Sequence, residues 1–176
     1  VLILQWGLCA GIGWLIYKIV LQLMPGQTAT ALLAVGLYAV FWPEFKFTAE
    51  ARSEIFFAFF LAAAIFALLK ALQVGQLRWF AWAGVLLGLA QHTKPVLSPF
   101  PVVVLFMLVL LQRPNWRQVA QRFAMFAAAF ALVILPWVVR NYLLFNKIIP
   151  GTTLLGLVIY HDFRDHLFQH GFLQDA

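Results

Sequence analysis

Charged residues, acids and cysteines are all scarce in this chain. Only 10% of its 176 residues are charged, with 12 lysines and arginines against 6 aspartates and glutamates, whereas 64% are hydrophobic. A soluble domain has about 25% charged residues and cannot hide this much apolar surface, and a disordered chain needs the opposite composition. The one cysteine, Cys9, excludes an internal disulfide and a cysteine-based metal site. The composition therefore predicts that lipid is the solvent for most of the chain.

Several sequence motifs typical of nucleotide-binding proteins and serine hydrolases are also missing. The sequence contains no GxGxxG fingerprint, no P-loop and no serine nucleophile elbow. The net charge of +6 is spread singly between apolar runs, so no basic stripe suited to nucleic acid forms. His166 and His170 are four residues apart, but no HExxH pattern accompanies them and a solvated polar surface explains them better. No metal, cofactor or nucleic-acid partner is predicted, and a requirement for a divalent metal is left open.

Six hydrophobic stretches follow one another along the chain. A membrane span needs about 20 apolar residues, and backbone groups in lipid must bond within their own segment, so each stretch should be helical. The stretches lie near residues 1–20, 27–42, 55–73, 77–91, 96–112 and 123–139. The predicted fold is all-α: a polytopic transmembrane helical bundle of about six spans, one domain over 1–176, with a non-spanning outer region over 140–176.

The fourth and fifth stretches are separated by a short polar segment, His92–Pro95. Proline biases the residue before it away from the helix, so we expect a tight helical hairpin whose tip lies at the membrane interface. One long kinked helix is the alternative, and it would bury the charge of Lys94 in hydrocarbon at high cost.

The connections fall into two sets with different charge. Lysines and arginines divide equally between them, but all six acids lie in the set 43–54, 92–95 and 140–176. The other set, 18–26, 70–78 and 113–122, is shorter and therefore more densely basic. Because basic density marks cytoplasmic loops, we assign the set without acids to the cytoplasm and the set with acids to the outer face.

Candidate functional residues lie in the outer set. Lys94 and Arg140 can bind a phosphate, arginine through two parallel hydrogen bonds and lysine as a point charge. Each candidate also has a structural alternative: Glu54 can stabilise a helix N-terminus, Lys94 can extend its ammonium to the interface, and Arg140 can anchor a span. His92 alone is a weak signal. Tyr160 completes the candidate substrate-binding set.

The order of motifs resembles the GT-C glycosyltransferases, in particular dolichyl-phosphate-mannose protein mannosyltransferases and bacterial aminoarabinose transferases. The matching strings are SEIFF at 53–57, GVLLGLA at 84–90 before TKP at 93–95, PWVVRNYLLF at 136–145, and IPGTT at 149–153. The resemblance implies transfer of a hexose or pentose from a polyprenyl-phosphate donor to a lipid, glycan or protein acceptor on the non-cytoplasmic face. It also implies a GT-C-like arrangement of the helices, in a multi-pass protein of the bacterial inner membrane.

The resemblance also implies what to expect of the site. Such enzymes place an essential carboxylate in the first outer loop, ahead of the span that opens this chain. Since the chain starts at Val1 inside an apolar run, we expect an internal fragment that is inactive alone, with its catalytic carboxylate upstream. Glu54 would then belong to the second outer loop bordering the site, Lys94 would border the donor cavity, and Arg140 would be a candidate partner for the lipid phosphate. The phenylalanines at 56, 57, 59 and 60 would suit a groove for the long lipid chains, with ordinary lipid contact as the alternative.

Two other functions stay open at this point. A transporter or flippase of lipid-linked sugars would place ionisable residues near mid-membrane. A non-catalytic assembly subunit would tolerate changes to the outer-face cations.

Overall fold

The computed structural model describes residues 2–40, 53–94, 97, 99–111 and 116–146. This part of the chain is all helical and contains no strand, which confirms the predicted all-α class, with one helix in each predicted stretch. The helices are α1 (Leu2–Leu23), α2 (Thr28–Val40), α3 (Glu54–Val74), α4 (Leu77–Thr93), α5 (Phe100–Leu111) and α6 (Trp116–Phe145).

Among the described residues, three helices are long and apolar enough to cross a membrane. They cover Ile3–Leu23, Glu54–Val74 and Trp116–Leu144. Between 11% and 28% of the most apolar window of each is buried inside the bundle, so most of their apolar surface faces outward. Helices α2 and α5 are apolar over the 13 and 12 residues that the structure describes for them. Lipid as solvent explains this exposure, and the figure of about six spans stays a prediction.

Along the chain, successive helices run in opposite directions. In space, the helices pack as neighbours in the order α2, α1, α3, α4, α6 and α5. Helices α1 and α3 run parallel, because Gln73 Nε2 near the end of α3 donates to the carbonyl oxygen of Gln22 near the end of α1, at 2.9 Å. The bundle therefore has two polar ends. The Glu54 end holds the starts of α1 and α3 and the ends of α4 and α6. The Lys70 end holds the ends of α1 and α3 and the starts of α4 and α6.

Helices α4 and α6 approach each other closely at two glycines. A Cβ on Gly84 would collide with the backbone oxygen of Phe126, and a Cβ on Gly88 would lie 2.8 Å from Val133 Cβ. Gly84 and Gly88 are four residues apart and share one face. This small-xxx-small spacing lets helix backbones meet in lipid, where apolar burial does not drive association. This contact fixes the position of α4 relative to α6 along the helix axes, and it therefore brings the ends of the two helices to the same level.

Alanines allow the same closeness between α3 and α4. Ala64, Ala67 and Ala71 of α3 are buried in the core formed with Phe80 of α4 and Phe126 of α6. Of the phenylalanines expected to contact lipid, those at 57 and 60 pack against this core, and Phe59 Cε2 would be 2.8 Å from a Cβ on Gly11 of α1. Packing inside the bundle therefore accounts for much of this run.

The break between the fourth and fifth stretches is confirmed. Helix α4 ends at Thr93, Lys94 is extended (φ −144°, ψ 114°), and α5 starts at Phe100. A single long helix is not formed. The following proline, which disfavours helical backbone in the residue before it, explains why the helix stops here.

Helix α6 is longer than the predicted span. It covers 30 residues, continues through Pro136 and includes Arg140, where the outer region was expected to begin. The predicted span stops at 139 because polar residues follow and the apolar pattern ends there. A helix is held by its own backbone hydrogen bonds, so it can continue past these polar residues. Arg140 therefore sits on a rigid helix rather than on a loop.

Candidate functional site

An ion pair joins α3 and α4 at the Glu54 end. Lys94 Nζ lies 3.1 Å from Glu54 Oε1, with the two side chains 40% and 31% exposed. Glu54 is the first residue of α3, where a carboxylate meets the positive end of the helix dipole. Ser53 occupies the N-cap position but its side chain makes no capping hydrogen bond. Glu54 therefore has two roles at once, at the helix terminus and as the partner of Lys94.

Lys94 is held by the end of α4. Its backbone N–H donates to the carbonyl oxygen of Ala90 at 3.0 Å, and Thr93 Oγ1 donates to the same oxygen at 2.7 Å. The backbone then turns to an extended conformation. An ammonium group has three N–H donors. Glu54 Oε1 can accept one of them, so the pair fixes the direction of Lys94 and leaves further donors for a ligand.

His92 links α4 to α6. Its Nε2 lies 2.9 Å from the carbonyl oxygen of Val133, and its ring meets that of Trp137 edge to face with centroids 6.3 Å apart. Val133 lies three residues before Pro136, whose missing N–H leaves the preceding carbonyl, that of Leu132, without its helical donor. His92 therefore joins the end of α4 to α6 beside the proline of α6.

Arg140 lies three residues beyond Trp137 on the same helix. Its Cζ is 5.2 Å from the centre of the Trp137 ring, a distance suited to a cation–π interaction. Its Nη1 lies 3.5 Å from Asn141 Oδ1, which is long for a hydrogen bond. The arginine side chain is exposed while Asn141 is fully buried. The guanidinium is thus supported by an aromatic ring and keeps most of its donors available.

The structure brings four of the five predicted residues to one end of the bundle. Glu54 and Lys94 form one pair, His92 and Arg140 both contact the Trp137 ring, and the closeness of His92 and Lys94 in the chain joins the two groups. Tyr160, like the histidines at 166 and 170, lies outside the described residues. Lys94 and Arg140, the two cations expected to act together, are therefore on the same end.

Sequence reasoning missed a set of buried amides at this end. Gln5 of α1, Gln91 of α4 and Asn141 of α6 are 1%, 4% and 0% exposed. Buried polar groups need hydrogen-bond partners, and each of these residues has a polar or ring contact. A lone glutamine inside an apolar run, as at Gln5, is the signal that would have identified the first of them. These amides give the Glu54 end a polar interior.

The side chains at the Glu54 end can bind an anion through their positive charges and their hydrogen-bond donors. Within residues 2–40, 53–94, 97, 99–111 and 116–146, no three His, Cys, Asp or Glu side chains are arranged to hold a metal ion. Glu54 is the one carboxylate side chain in those ranges. A cavity of about 460 Å³ lies at the other end of the bundle, lined by Lys18 and Lys70, and does not belong to this group.

Most of the chain is similar to a known protein family. A family model described as dolichyl-phosphate-mannose-protein mannosyltransferase matches residues 2–139. Curated proteins and solved structures gave no significant match. The matched range covers most of the chain, and the three long apolar helices agree with an integral membrane protein. The chain belongs to the dolichyl-phosphate-mannose-protein mannosyltransferase family, a family of GT-C-type membrane glycosyltransferases.

Proposed function

We propose that this protein transfers a sugar from a polyprenyl-phosphate donor to an acceptor hydroxyl, with the reaction at the Glu54 end on the non-cytoplasmic face. The observation that carries the proposal is the pairing of Lys94 with Glu54 on the same end as the ring-supported Arg140. Family membership supplies the reaction class. The proposed site residues are Glu54, His92, Lys94 and Arg140, with Tyr160 as a fifth.

In the proposed step, the acceptor oxygen forms a bond to the anomeric carbon as the bond from that carbon to the phosphate oxygen breaks. The electron pair of the broken bond goes to the phosphate, whose charge therefore grows. A cation already in position stabilises that charge best where water is excluded. Lys94 is oriented by Glu54, and Arg140 is held against Trp137, so neither needs to reorganise during the reaction.

The proton of the acceptor hydroxyl needs a general base. Glu54 is a poor choice because its carboxylate is paired with Lys94, and a base must reach the proton that it removes. The family resemblance points to a carboxylate in an outer loop upstream of α1. We therefore propose that the five site residues bind the donor, while the base comes from that loop, and that this chain alone does not turn over.

The distribution of charge supports a transferase over a transporter. In the described part of the chain, every lysine, arginine and glutamate lies within about two turns of a helix end. A carrier of lipid-linked sugars would be expected to hold ionisable groups near the bilayer midplane. A reaction at the membrane interface fits this distribution of charge better than transport of a lipid-linked sugar through the middle of the bilayer. The bacterial inner membrane, with this end facing the periplasm, is the proposed location.

The test is sugar transfer by the full-length protein in lipid vesicles, from radiolabelled polyprenyl-phosphate mannose to an endogenous membrane acceptor. Loss of a hydrogen bond to a charged group costs about 1.5–3 kcal/mol, so Lys94→Gln and Arg140→Gln should each lower kcat/KM by about 10- to 100-fold. Arg78→Gln, an exposed cation at the other end, is the matched control. Unchanged kcat/KM in both site variants would refute the proposed binding of phosphate. Donor movement across vesicles without transfer would favour a flippase.

A further inference from the structure

A basic cavity lies at the Lys70 end, between α1 and α3. Its volume is about 460 Å³. It is lined by Trp14, Lys18, Leu21, Gln22, Pro25, Phe66, Lys70 and Gln73. It therefore combines two ammonium groups, two amides and two aromatic rings, and the proposed sugar transfer at the opposite end makes no use of it.

The two lysines have no carboxylate to neutralise them within the described structure. Glu54, the one acid in that part of the chain, is paired at the opposite end. The connections 18–26, 70–78 and 113–122, which adjoin this end, contain no acid at all. Two like charges that line one cavity repel each other, and their partial burial reduces their hydration. An anion placed between Lys18 and Lys70 would relieve both costs.

Aromatic rings hold the lysines without using all their donors. Lys18 Nζ is 5.7 Å from the centre of the Trp14 ring. Lys70 Nζ is 4.3 Å from the ring centre of Trp79 and 5.7 Å from that of Phe66. A ring face engages one side of an ammonium group, and each ammonium has three N–H donors. The remaining donors are those that a phosphate could accept.

Both lysines lie near the ends of their helices, where a long side chain can extend its ammonium group to the membrane interface. Lys18 is five residues before the end of α1 and Lys70 is four before the end of α3, which is about 6–8 Å along each helix. The polar layer on each side of the hydrocarbon core is about 5–8 Å thick. A phosphate fixed to acyl chains lies in this layer, and the indole of Trp14, 56% exposed, provides an apolar side wall.

Gln22 provides an independent feature of the same cavity. Its Oε1 is buried and accepts no hydrogen bond from any described residue, although its carbonyl oxygen accepts one from Gln73 Nε2 at 2.9 Å. A buried acceptor without a donor is unfavourable, because it has lost its hydrogen bonds to water and gained none in the protein. A ligand that carries a hydroxyl group beside its phosphate would supply the missing donor.

We propose that this cavity binds the head group of an anionic glycerophospholipid, with the phosphate between Lys18 and Lys70 and a head-group hydroxyl donating to Gln22 Oε1. Basic cavities between spans are a known setting for such head groups. The site is separate from the proposed donor site, so a lipid bound here would act as a structural or regulatory ligand of α1 and α3.

The test is lipid binding to the full-length protein, measured by native mass spectrometry from micelles doped with one lipid at a time. Phosphatidylglycerol should bind, while phosphatidylcholine should not. Each cation near an anionic lipid contributes about fivefold, so Lys18→Gln with Lys70→Gln should weaken phosphatidylglycerol binding by about thirtyfold. Arg117→Gln, an exposed cation on α6 at the same end, is the matched control and should leave binding unchanged.

Two further arms separate the sources of the phosphate and the role of the amide. Inorganic phosphate at millimolar concentration should not displace the lipid; displacement would show a site for free phosphate and overturn the proposal. Phosphatidylmethanol has the same charge as phosphatidylglycerol but no head-group hydroxyl, so it should bind the wild type more weakly than phosphatidylglycerol does. Its affinity for the wild type should be no lower than the affinity of phosphatidylglycerol for Gln22→Leu, because each combination lacks one half of the same hydrogen bond. Equal binding of the two lipids to the wild type would overturn the role of Gln22.

A measurement on the wild type guards against misfolding of the variants. A phosphatidylglycerol with a photoreactive group in its head group should crosslink to peptides that contain Lys18 or Lys70. Crosslinks confined to other segments, or equal binding of the zwitterionic lipid, would overturn the proposal even if the double variant loses its lipid.

Discussion

The contact between α4 and α6 can be tested by adding one methyl group at a time. At Gly84 a Cβ would meet backbone, the oxygen of Phe126, which cannot rotate away. At Gly88 it would lie 2.8 Å from Val133 Cβ, so the helices must separate by roughly half an ångström to reach an ordinary contact. At Gly36 of α2 nothing lies within 4 Å. The structure therefore predicts a graded series of three alanine variants.

The expected cost follows from the packing. Forcing extra atoms into a well-packed contact costs about 1–3 kcal/mol, with Gly84→Ala at the upper end and Gly88→Ala lower. Gly36→Ala should be neutral or slightly stabilising, since alanine favours a helix over glycine by about 1 kcal/mol. The assay is the fraction of monodisperse protein after heating in detergent, with transfer rate measured in parallel. Separation of α4 from α6 should also move His92 away from Val133 and reduce transfer.

The order of the series is decisive. If Gly84→Ala were as stable as Gly36→Ala, the backbone contact between α4 and α6 would be wrong. If stability fell as expected while transfer per folded molecule stayed at the wild-type rate, the contact would stand, but its role in positioning the Glu54 end would not.

Three smaller predictions concern single contacts. Gly75→Ala should destabilise the protein by about 1 kcal/mol, because Gly75 ends α3 with a left-handed φ of 73°; thermal melting checks this. His92→Phe removes the hydrogen bond to Val133 and should cost about 0.5–1.5 kcal/mol by the same assay, and a stability equal to wild type would exclude that bond. Trp137→Leu removes the ring beneath Arg140 and should raise the donor KM while leaving expression intact; an unchanged KM would show that the ring does not position Arg140.

The sequence predicted the helices well because lipid imposes one solution on an apolar segment. All six predicted stretches contain a helix, and the break before Pro95 occurs where the proline requires it. The extension of α6 through Arg140 was missed. Polar residues end an apolar pattern, but they do not end a helix whose backbone bonds remain satisfied.

The partners within the candidate site were harder to predict. The sequence identified Glu54 and Lys94 separately, but their pairing depends on the register of α3 against α4, which side-chain packing decides. The string at 84–90 carries part of the family resemblance, but only the structure shows that its two glycines set the contact with α6. Lys18 and Lys70 served in the sequence only as markers of orientation, because nothing in the sequence places them in one cavity.

The most direct test of the donor site exchanges the charges of its ion pair. In the double variant Glu54→Lys with Lys94→Glu, the attraction between α3 and α4 is preserved, but the ammonium now starts from α3 and a carboxylate stands where the phosphate should bind. We predict that the double variant recovers the stability lost by Lys94→Glu alone while transfer from the polyprenyl-phosphate donor stays at least about 10-fold below wild type. Recovery of both stability and transfer would contradict the proposal, since it would leave Lys94 with only the role of joining two helices.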